Sequence, residues 1–255
     1  MTYILNMLNQ IKSKKKPSYG VDAPGVIRNL FIAGAFLFIL PFIFPSITLG
    51  KVSIDISWFI WPGINFMIGG VLMIMYAFIG KYFHRDRMLD LINWQGDEQV
   101  LDIGTGKGLM MIGAAKRLTT GFSTGIDIWN AEDLSGNNLE NATNNAKLEG
   151  VGNKIAIKNE NAMNMSFTNE SFDIILTNLC LHNIYDKAGR HTACLEIARV
   201  LKNGGTAIVS DFRHANEYKD SFDTLGFDTK LFTPNFFTTF PPLQILIVVK
   251  SVNRS

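Results

Sequence analysis

The 255-residue chain has little cysteine and little charge, and each shortage excludes something. Its two cysteines, Cys180 and Cys194, share no metal-ligand spacing and no oxidising context, so a disulfide framework and a metal site are set aside and structural thiols are expected. Charged residues make up 18% against 47% apolar ones, and the formal net charge is only +2. The basic excess is concentrated before residue 30, which favours contact with anionic membrane lipids and argues against a nucleic-acid groove. The lack of charge is local. Ile27 to Leu49 carries only Arg28 at its edge and Ile56 to Gly80 carries none; at about 1.5 Å per residue, each can cross an apolar core of about 30 Å.

Two transmembrane helices are therefore expected, the first bent by Pro41 and Pro45 and the second able to pack closely at Gly69-Gly70. Lys12, Lys14, Lys15, Lys16 and Arg28 precede the first span, and Lys81, Arg85 and Arg87 follow the second. Only Lys51, with Asp55, lies between them, so the positive-inside rule places both termini and everything after the second span in the cytoplasm. Trp58 and Trp61 then sit at the far interface as an aromatic belt. A cleaved signal peptide is disfavoured, because the apolar run starts too late and offers no small-x-small cleavage site. Ile4, Leu5, Met7, Leu8 and Ile11 share one helical face ahead of the basic run, which reads either as a helix lying in the headgroup layer or as a solvated tail.

The second half has a different character. Val100, Leu101 and Ile103 form a short buried strand ending at Gly104-Thr105-Gly106-Lys107-Gly108, where glycines let bare backbone turn tightly against a ligand. A helix follows with Met110, Met111, Ile112, Ala114, Ala115 and Leu118 as apolar positions, its free N–H groups facing the loop. The next strand, Phe122 to Ile126, stops at Asp127, whose carboxylate suits the two hydroxyls of a ribose. A dinucleotide fingerprint would put its third glycine at Leu109, and a P-loop would follow Gly-Lys with Ser or Thr where Gly108 stands, so both readings are disfavoured. Val-Leu-Asp-Ile-Gly-Thr-Gly-Lys-Gly resembles the first motif of the class I S-adenosylmethionine-dependent methyltransferases, and Gly-Ile-Asp resembles their ribose-binding second motif.

Later segments match as well. Phe172 to Asn178 reads as the fourth strand, and Ala198 to Gly205 as a helix stopped by glycine. After the third strand, Lys154 to Lys158, Asn161 stands where the family usually carries an Asp that accepts from the adenine amino group; its amide oxygen keeps the acceptor and loses the charge. The resemblance covers Asp97 to Lys250 and implies an α/β, Rossmann-like, seven-stranded and mostly parallel sheet. It also implies S-adenosylmethionine as cofactor, bound by Asp102, Gly104, Thr105, Gly106, Gly108, Asp127, Ile128, Asn161, Ala162 and Asn178, all beyond Asp97.

In an open α/β sheet the acceptor meets the methyl group beyond the carboxyl ends of the strands. There the chain reads Asn178-Leu179-Cys180-Leu181-His182-Asn183-Ile184-Tyr185-Asp186 and Ser210-Asp211-Phe212-Arg213-His214. The first run lacks the prolines and aromatic of the methylases that act on exocyclic amines of bases or on the glutamine amide, so that group is disfavoured. His182 is the first candidate for a general base, or else a residue that holds the loop; Tyr185 and His214 come next. Arg213 pairs either with an acidic acceptor or with Asp211 or solvent. The aromatic stretch Phe232 to Pro242 is either hairpin core or a greasy surface that dips into a bilayer or lines an entrance.

These observations divide the chain into a basic cytoplasmic segment (1–26), a membrane hairpin (27–80), a juxtamembrane helix to Gln95 (81–96) and a methyltransferase domain (97–255). The expected function is methyl transfer from S-adenosylmethionine to a small, lipophilic or membrane-associated acceptor such as a lipid headgroup or quinone. Two alternatives remain open: a membrane-tethered S-adenosylmethionine sensor, and a methylase of a membrane protein.

Overall fold

The computed structural model describes residues 16–251; residues 1–15, where the headgroup-layer helix is expected, lie outside the described residues, as do 252–255. Helix α1 runs Pro24–Ile43, opened by a proline at its first turn, where a missing N–H costs nothing. It stops short of the expected Leu49. Pro45 disfavours helical backbone at Phe44 before it, and Phe44 adopts φ −132°, ψ 88°. The β-branched residues beyond Pro45 instead form strands β1 (Ser46–Leu49) and β2 (Val52–Asp55), paired antiparallel around Gly50 at φ +64°.

The chain then re-enters a helical rod, Ser57–Leu89, comprising a 3-10 turn, helix α2 (Ile60–Met75), a π turn (Tyr76–Gly80) and helix α3 (Lys81–Leu89). The rod ends at Leu89 rather than Gln95, with Trp94 Nε1 donating to the Leu89 carbonyl. Helices α1 and α2 pack against each other through small residues. A Cβ on Gly34 would stand 2.9 Å from the Gly63 carbonyl oxygen, and one on Gly63 would stand 2.7 Å from the Phe38 nitrogen. Gly70 accommodates the Phe31 ring of α1, and Gly69 faces both Leu30 of α1 and Phe240. Both α1 and the Ser57–Leu89 rod are long and apolar enough to cross a membrane, and Ile32, Phe36, Phe42, Trp58, Trp61 and Phe78 are exposed along them.

The remaining chain forms β3 (Gln99–Ile103), α4 (Leu109–Ala115), β4 (Phe122–Asp127), α5 (Leu139–Leu148), β5 (Ile155–Asn159), β6 (Phe172–Asn178), α6 (Lys187–Val200), β7 (Leu201–Asp211), α7 (Ala215–Thr224), β8 (Asp228–Phe232) and β9 (Gln244–Val249). The seven-stranded sheet has the order β5-β4-β3-β6-β7-β9-β8, with β9 antiparallel to both its neighbours and the other pairs parallel. Alternation along the strands divides the core. Leu101, Ile103 and Ile175 face α6 and α7, while Val100, Ile174, Leu176 and Ile208 face α4 together with Met88 and Leu89 of α3. The base of the second long helix is thus packed into the core of the sheet domain.

Leu201 to Gly205, expected as the glycine-stopped end of a helix, is the start of β7, because helix α6 ends at Val200. Gly204, at φ +79°, turns the backbone so that its N–H donates to Lys250 O at 2.7 Å. Lys250 Nζ closes the helix end by donating to the carbonyls of Ala198 and Leu201.

Candidate cofactor and acceptor site

The glycine loop joins β3 to α4 at the carboxyl edge of the sheet. Gly104, Gly106 and Gly108 all hold positive φ, at 72°, 54° and 88°. A Cβ on Gly104 would lie 2.5 Å from the Cys180 Cβ and closer still to its Sγ, so this glycine is required by the packing of Cys180 from the end of β6. Gly106 has room on the cavity side; a Cβ there meets only the flexible tip of Leu134 at 2.8 Å.

Asp102 and Asp127 hold the loop from both sides. Asp102 Oδ2 accepts from the Thr105 hydroxyl at 2.7 Å and from the Met111 N–H at 2.8 Å, so the buried helix start points its donor at this carboxylate. Asp127 Oδ2 accepts from the Gly106 N–H at 2.8 Å, and its Oδ1 accepts from Trp129 N at 2.6 Å. Asp127 Oδ1 also accepts from Asn137 Nδ2 at 3.3 Å, so Oδ2, with a single donor, is the oxygen that retains a lone pair for a ribose hydroxyl. Trp129, two residues after Asp127, holds a left-handed conformation unusual for an aromatic residue, at φ +62°.

Burial pushes the Asp102 carboxyl from its ordinary 3.8 up to about 7, against the opposing pull of its Thr105 and Met111 bonds. A raised carboxyl means that the folded chain holds this proton more tightly than the unfolded chain does. Its contribution to stability is therefore complete below about pH 4 and is lost as the pH climbs through about 7. Asp102→Asn cannot titrate, so its melting temperature is expected to fall less than that of the parent between about pH 4 and pH 7. Parallel melting curves across that range would exclude the raised carboxyl.

One cavity is lined by Asp102, Gly104, Thr105, Gly106, Asp127, Ile128, Asn161, Ala162 and Asn178, which brings together nine of the ten cofactor residues expected from sequence. Gly108 stands behind the loop as the left-handed N-cap of α4. The Asn161 amide oxygen accepts from the Met163 N–H at 2.9 Å, leaving its second lone pair for a ligand amine. The donor set fits S-adenosylmethionine: Asp127 for the ribose, apolar Ile128 and Leu134 for the adenine faces, Asn161 for its amino group, and Asp102 beside the glycine loop for the cationic methionine end.

Tyr19, Asp22 and Lys81 line the same cavity, so its walls are not confined to residues beyond Asp97. Residues 18–23 form a strap across the domain. Ser18 exchanges hydrogen bonds with the Asn145 side chain, Val21 N donates to Ser135 Oγ, and Ala23 N donates to Asp133 O. Lys81, 2% exposed, clamps the strap by donating to Gly20 O at 2.9 Å and pairing with Asp22 Oδ2 at 2.7 Å. A fully buried lysine with a single carboxylate partner is a three-dimensional fact; in sequence Lys81 reads only as a positive-inside charge.

A second and larger cavity, about 840 Å³, opens beside the first and shares Asp22, Asp133, Leu179 and Asn183 with it. One wall comes from the helical hairpin, with Val26, Arg28, Asn29, Met73 and Tyr76. The facing wall comes from the sheet domain, with His182, Phe212, Arg213, Phe240 and Pro241. His182 therefore reaches the cavity, standing on a 3-10 turn (Leu181–Asn183) after β6. Tyr185 and His214 do not. Tyr185 is 96% exposed on the surface, and His214 caps α7 with Nδ1 3.5 Å from Glu217. The aromatic stretch is divided: Phe240 and Pro241 line the cavity, Thr238 packs its carbonyl on Gly80 of the rod, and Phe236 and Phe237 are exposed.

Comparison with known proteins agrees with this architecture. Residues 95–231, just over half of the chain, match the family model described as a methyltransferase domain, and the chain belongs to that family. Ribosomal protein L11 methyltransferase of Halalkalibacterium halodurans is 34% identical over 52% of this chain and 38% of its own length. Demethylmenaquinone methyltransferase of Lactiplantibacillus plantarum is 30% identical over 51% of this chain and 52% of its own. The chain thus spans about half or less of the length of these relatives. Among solved structures, an S-adenosylmethionine-dependent methyltransferase from Aquifex aeolicus superimposes with a TM-score of 0.52 at 14% identity, covering 65% of this chain and 89% of that one. The protein is a class I methyltransferase by fold, with S-adenosylmethionine as its cofactor.

Proposed function

We propose that the chain is a membrane-anchored enzyme that transfers the methyl group of S-adenosylmethionine to a small lipophilic acceptor presented by the bilayer. The observation that carries this reading is the shared boundary of the two cavities. The cofactor cavity adjoins a cleft of which one wall is the apolar hairpin itself. A water-soluble acceptor would not need that wall, whereas an amphiphile partitioned into the membrane would enter along it. Phe236 and Phe237, exposed beside the rod at Gly80, extend the same apolar surface toward the lipid.

In this reading Asp127, Ile128 and Asn161 hold the adenosine part, and the glycine loop with Asp102 holds the methionine part. The bound cofactor supplies an electrophilic methyl group, and His182 faces the acceptor. A quinone-like or other isoprenoid acceptor is one chemical class that suits the cleft, in keeping with the demethylmenaquinone methyltransferase among the relatives. The fold alone does not choose the acceptor.

The anchoring reading makes a topological prediction. Ser53, in β2, lies between the two apolar helices, and the charge pattern of the sequence assigns Ser13, ahead of the first of them, to the opposite side of the membrane. A Ser53→Cys variant is expected to react with an impermeant thiol reagent added outside intact cells, and a Ser13→Cys variant only after lysis. Labelling of Ser13→Cys alone in intact cells would show the hairpin inverted or absent.

A further inference from the structure

We infer that Asp211 is a positioning residue that fixes His182 as the general base for an acceptor bearing an acidic hydroxyl, such as a phenol or enol; this rests on the acceptor cleft proposed above. Asp211 ends β7, is 1% exposed, and has no cation paired to it among the described residues. A buried carboxylate without a cation is costly unless hydrogen bonds or a protonatable partner meet it. The close contacts that meet it come from the turn holding His182 and from the following Phe212, with a long one from Tyr218 of α7. The His182 N–H donates to Asp211 Oδ2 at 3.1 Å, the Phe212 N–H donates to Oδ1 at 2.8 Å, and the Tyr218 hydroxyl stands 3.5 Å from Oδ2.

The imidazole is the remaining partner. His182 Nδ1 lies 2.9 Å from Asp211 Oδ1, off the hydrogen-bond axis in this conformation, and a turn of the ring aligns it. Phe212 packs edge-on against the ring with centroids 4.7 Å apart, which limits that turn to a small one. With Nδ1 committed to Asp211, Nε2 is the nitrogen left for the cleft, and no protein partner holds it among the described residues. The backbone and the ring of His182 are therefore both referred to one buried carboxylate, the arrangement that selects a tautomer and stabilises the imidazolium after proton capture.

The step balances. The acceptor O–H bond breaks, its proton goes to His182 Nε2, and its electron pair forms the bond to the methyl carbon while the C–S pair stays on sulfur. The proton then leaves the imidazolium to water. An amine acceptor that is neutral when bound would need no such base. Other charged groups lining the cleft are Asp22, Glu132 and Asp133, Arg28 of α1, and Arg213, whose guanidinium lies over the Phe212 ring at 5.1 Å.

The test uses the full-length protein with nitrogen-labelled histidine, the resonance of His182 among the four histidines being assigned by its loss in His182→Gln. The wild-type ring is expected to carry its neutral-form proton on Nδ1. In Asp211→Asn the preference for the Nδ1 tautomer is expected to be lost, because the amide can turn its NH2 toward Nδ1. Methyl transfer to a total lipid extract is expected to lose about tenfold or more in kcat with KM little changed. A proton on Nε2 in the wild type, or an unchanged Nδ1 tautomer in a folded Asp211→Asn protein, overturns the inference. Should Asp211→Asn not fold, the wild-type tautomer decides alone. Absence of transfer to lipid by the wild type, with the Nδ1 tautomer present, would count against the acceptor proposal and leave the pairing intact.

Discussion

Gly104→Val is expected to weaken S-adenosylmethionine binding by at least an order of magnitude. Two costs fall on one residue: a β-branched side chain at φ +72°, and a Cβ placed 2.5 Å from the Cys180 Cβ. Left-handed backbone costs roughly 1–2 kcal/mol for a residue with a Cβ, and over-packing a tight core adds about 1–3 kcal/mol. The escape from both is for the loop to leave Cys180, which also carries Gly106 away from Asp127. At about 1.4 kcal/mol per tenfold, a loss of roughly 30-fold to more than 1,000-fold in affinity follows. Gly106→Ala is the internal comparison: it also carries a left-handed backbone cost, at φ +54°, but its Cβ meets only the movable Leu134 tip, so the difference between the two reports the packing against Cys180. Calorimetry on both variants, with circular dichroism to show that each is folded, measures the difference; equal and unchanged affinities would remove the loop from the cofactor site.

The second large effect is expected at His182. Replacement by Ala in the full-length protein should slow methyl transfer by about two to four orders of magnitude if the imidazole takes the acceptor proton. Cofactor affinity should hardly change, because His182 lines the second cavity and not the one formed by the glycine loop and Asp127. Single-turnover rates alongside equilibrium binding separate the two. A slowing below about tenfold would leave His182 as a residue that shapes the loop, with catalysis by alignment of donor and acceptor alone.

The fold of the sheet domain was legible because its signals are local. Val100 to Gly108, Asp127 and Phe172 to Asn178 are short runs in which strand, turn and binding residue follow directly in sequence, and nine expected cofactor residues line one cavity. What sequence could not reveal came from distant segments meeting in space. Tyr19 and Asp22 reach the cofactor cavity from some eighty residues upstream, carried there by hydrogen bonds to Ser135 and Asn145 that have no sequence signature. Lys81 illustrates the difficulty: a basic residue after an apolar run has an ordinary topological reading, and only packing shows it buried against Asp22.

Local misreadings have equally physical causes. The apolar run to Leu49 hides a helix end because Ile47 and Leu49 are as apolar in a strand as in a helix; Pro45 was the marker of the break. Ala198 to Gly205 carries a glycine stop signal, yet Gly204 serves the first turn of β7 against Lys250 and not the end of α6. Among the candidate acceptor-side residues, His182, Tyr185 and His214 look alike in sequence. Only His182 faces the cleft, since a 3-10 turn separates it from Tyr185 and a helix cap holds His214 beside Glu217.

The most direct test of the account is to follow methyl-labelled S-adenosylmethionine with the full-length protein reconstituted in bilayers of total lipid extract. The account predicts label in the organic phase, accumulating over many turnovers and suppressed in His182→Ala. Cofactor bound without turnover, or label confined to protein or to water-soluble product, would contradict it.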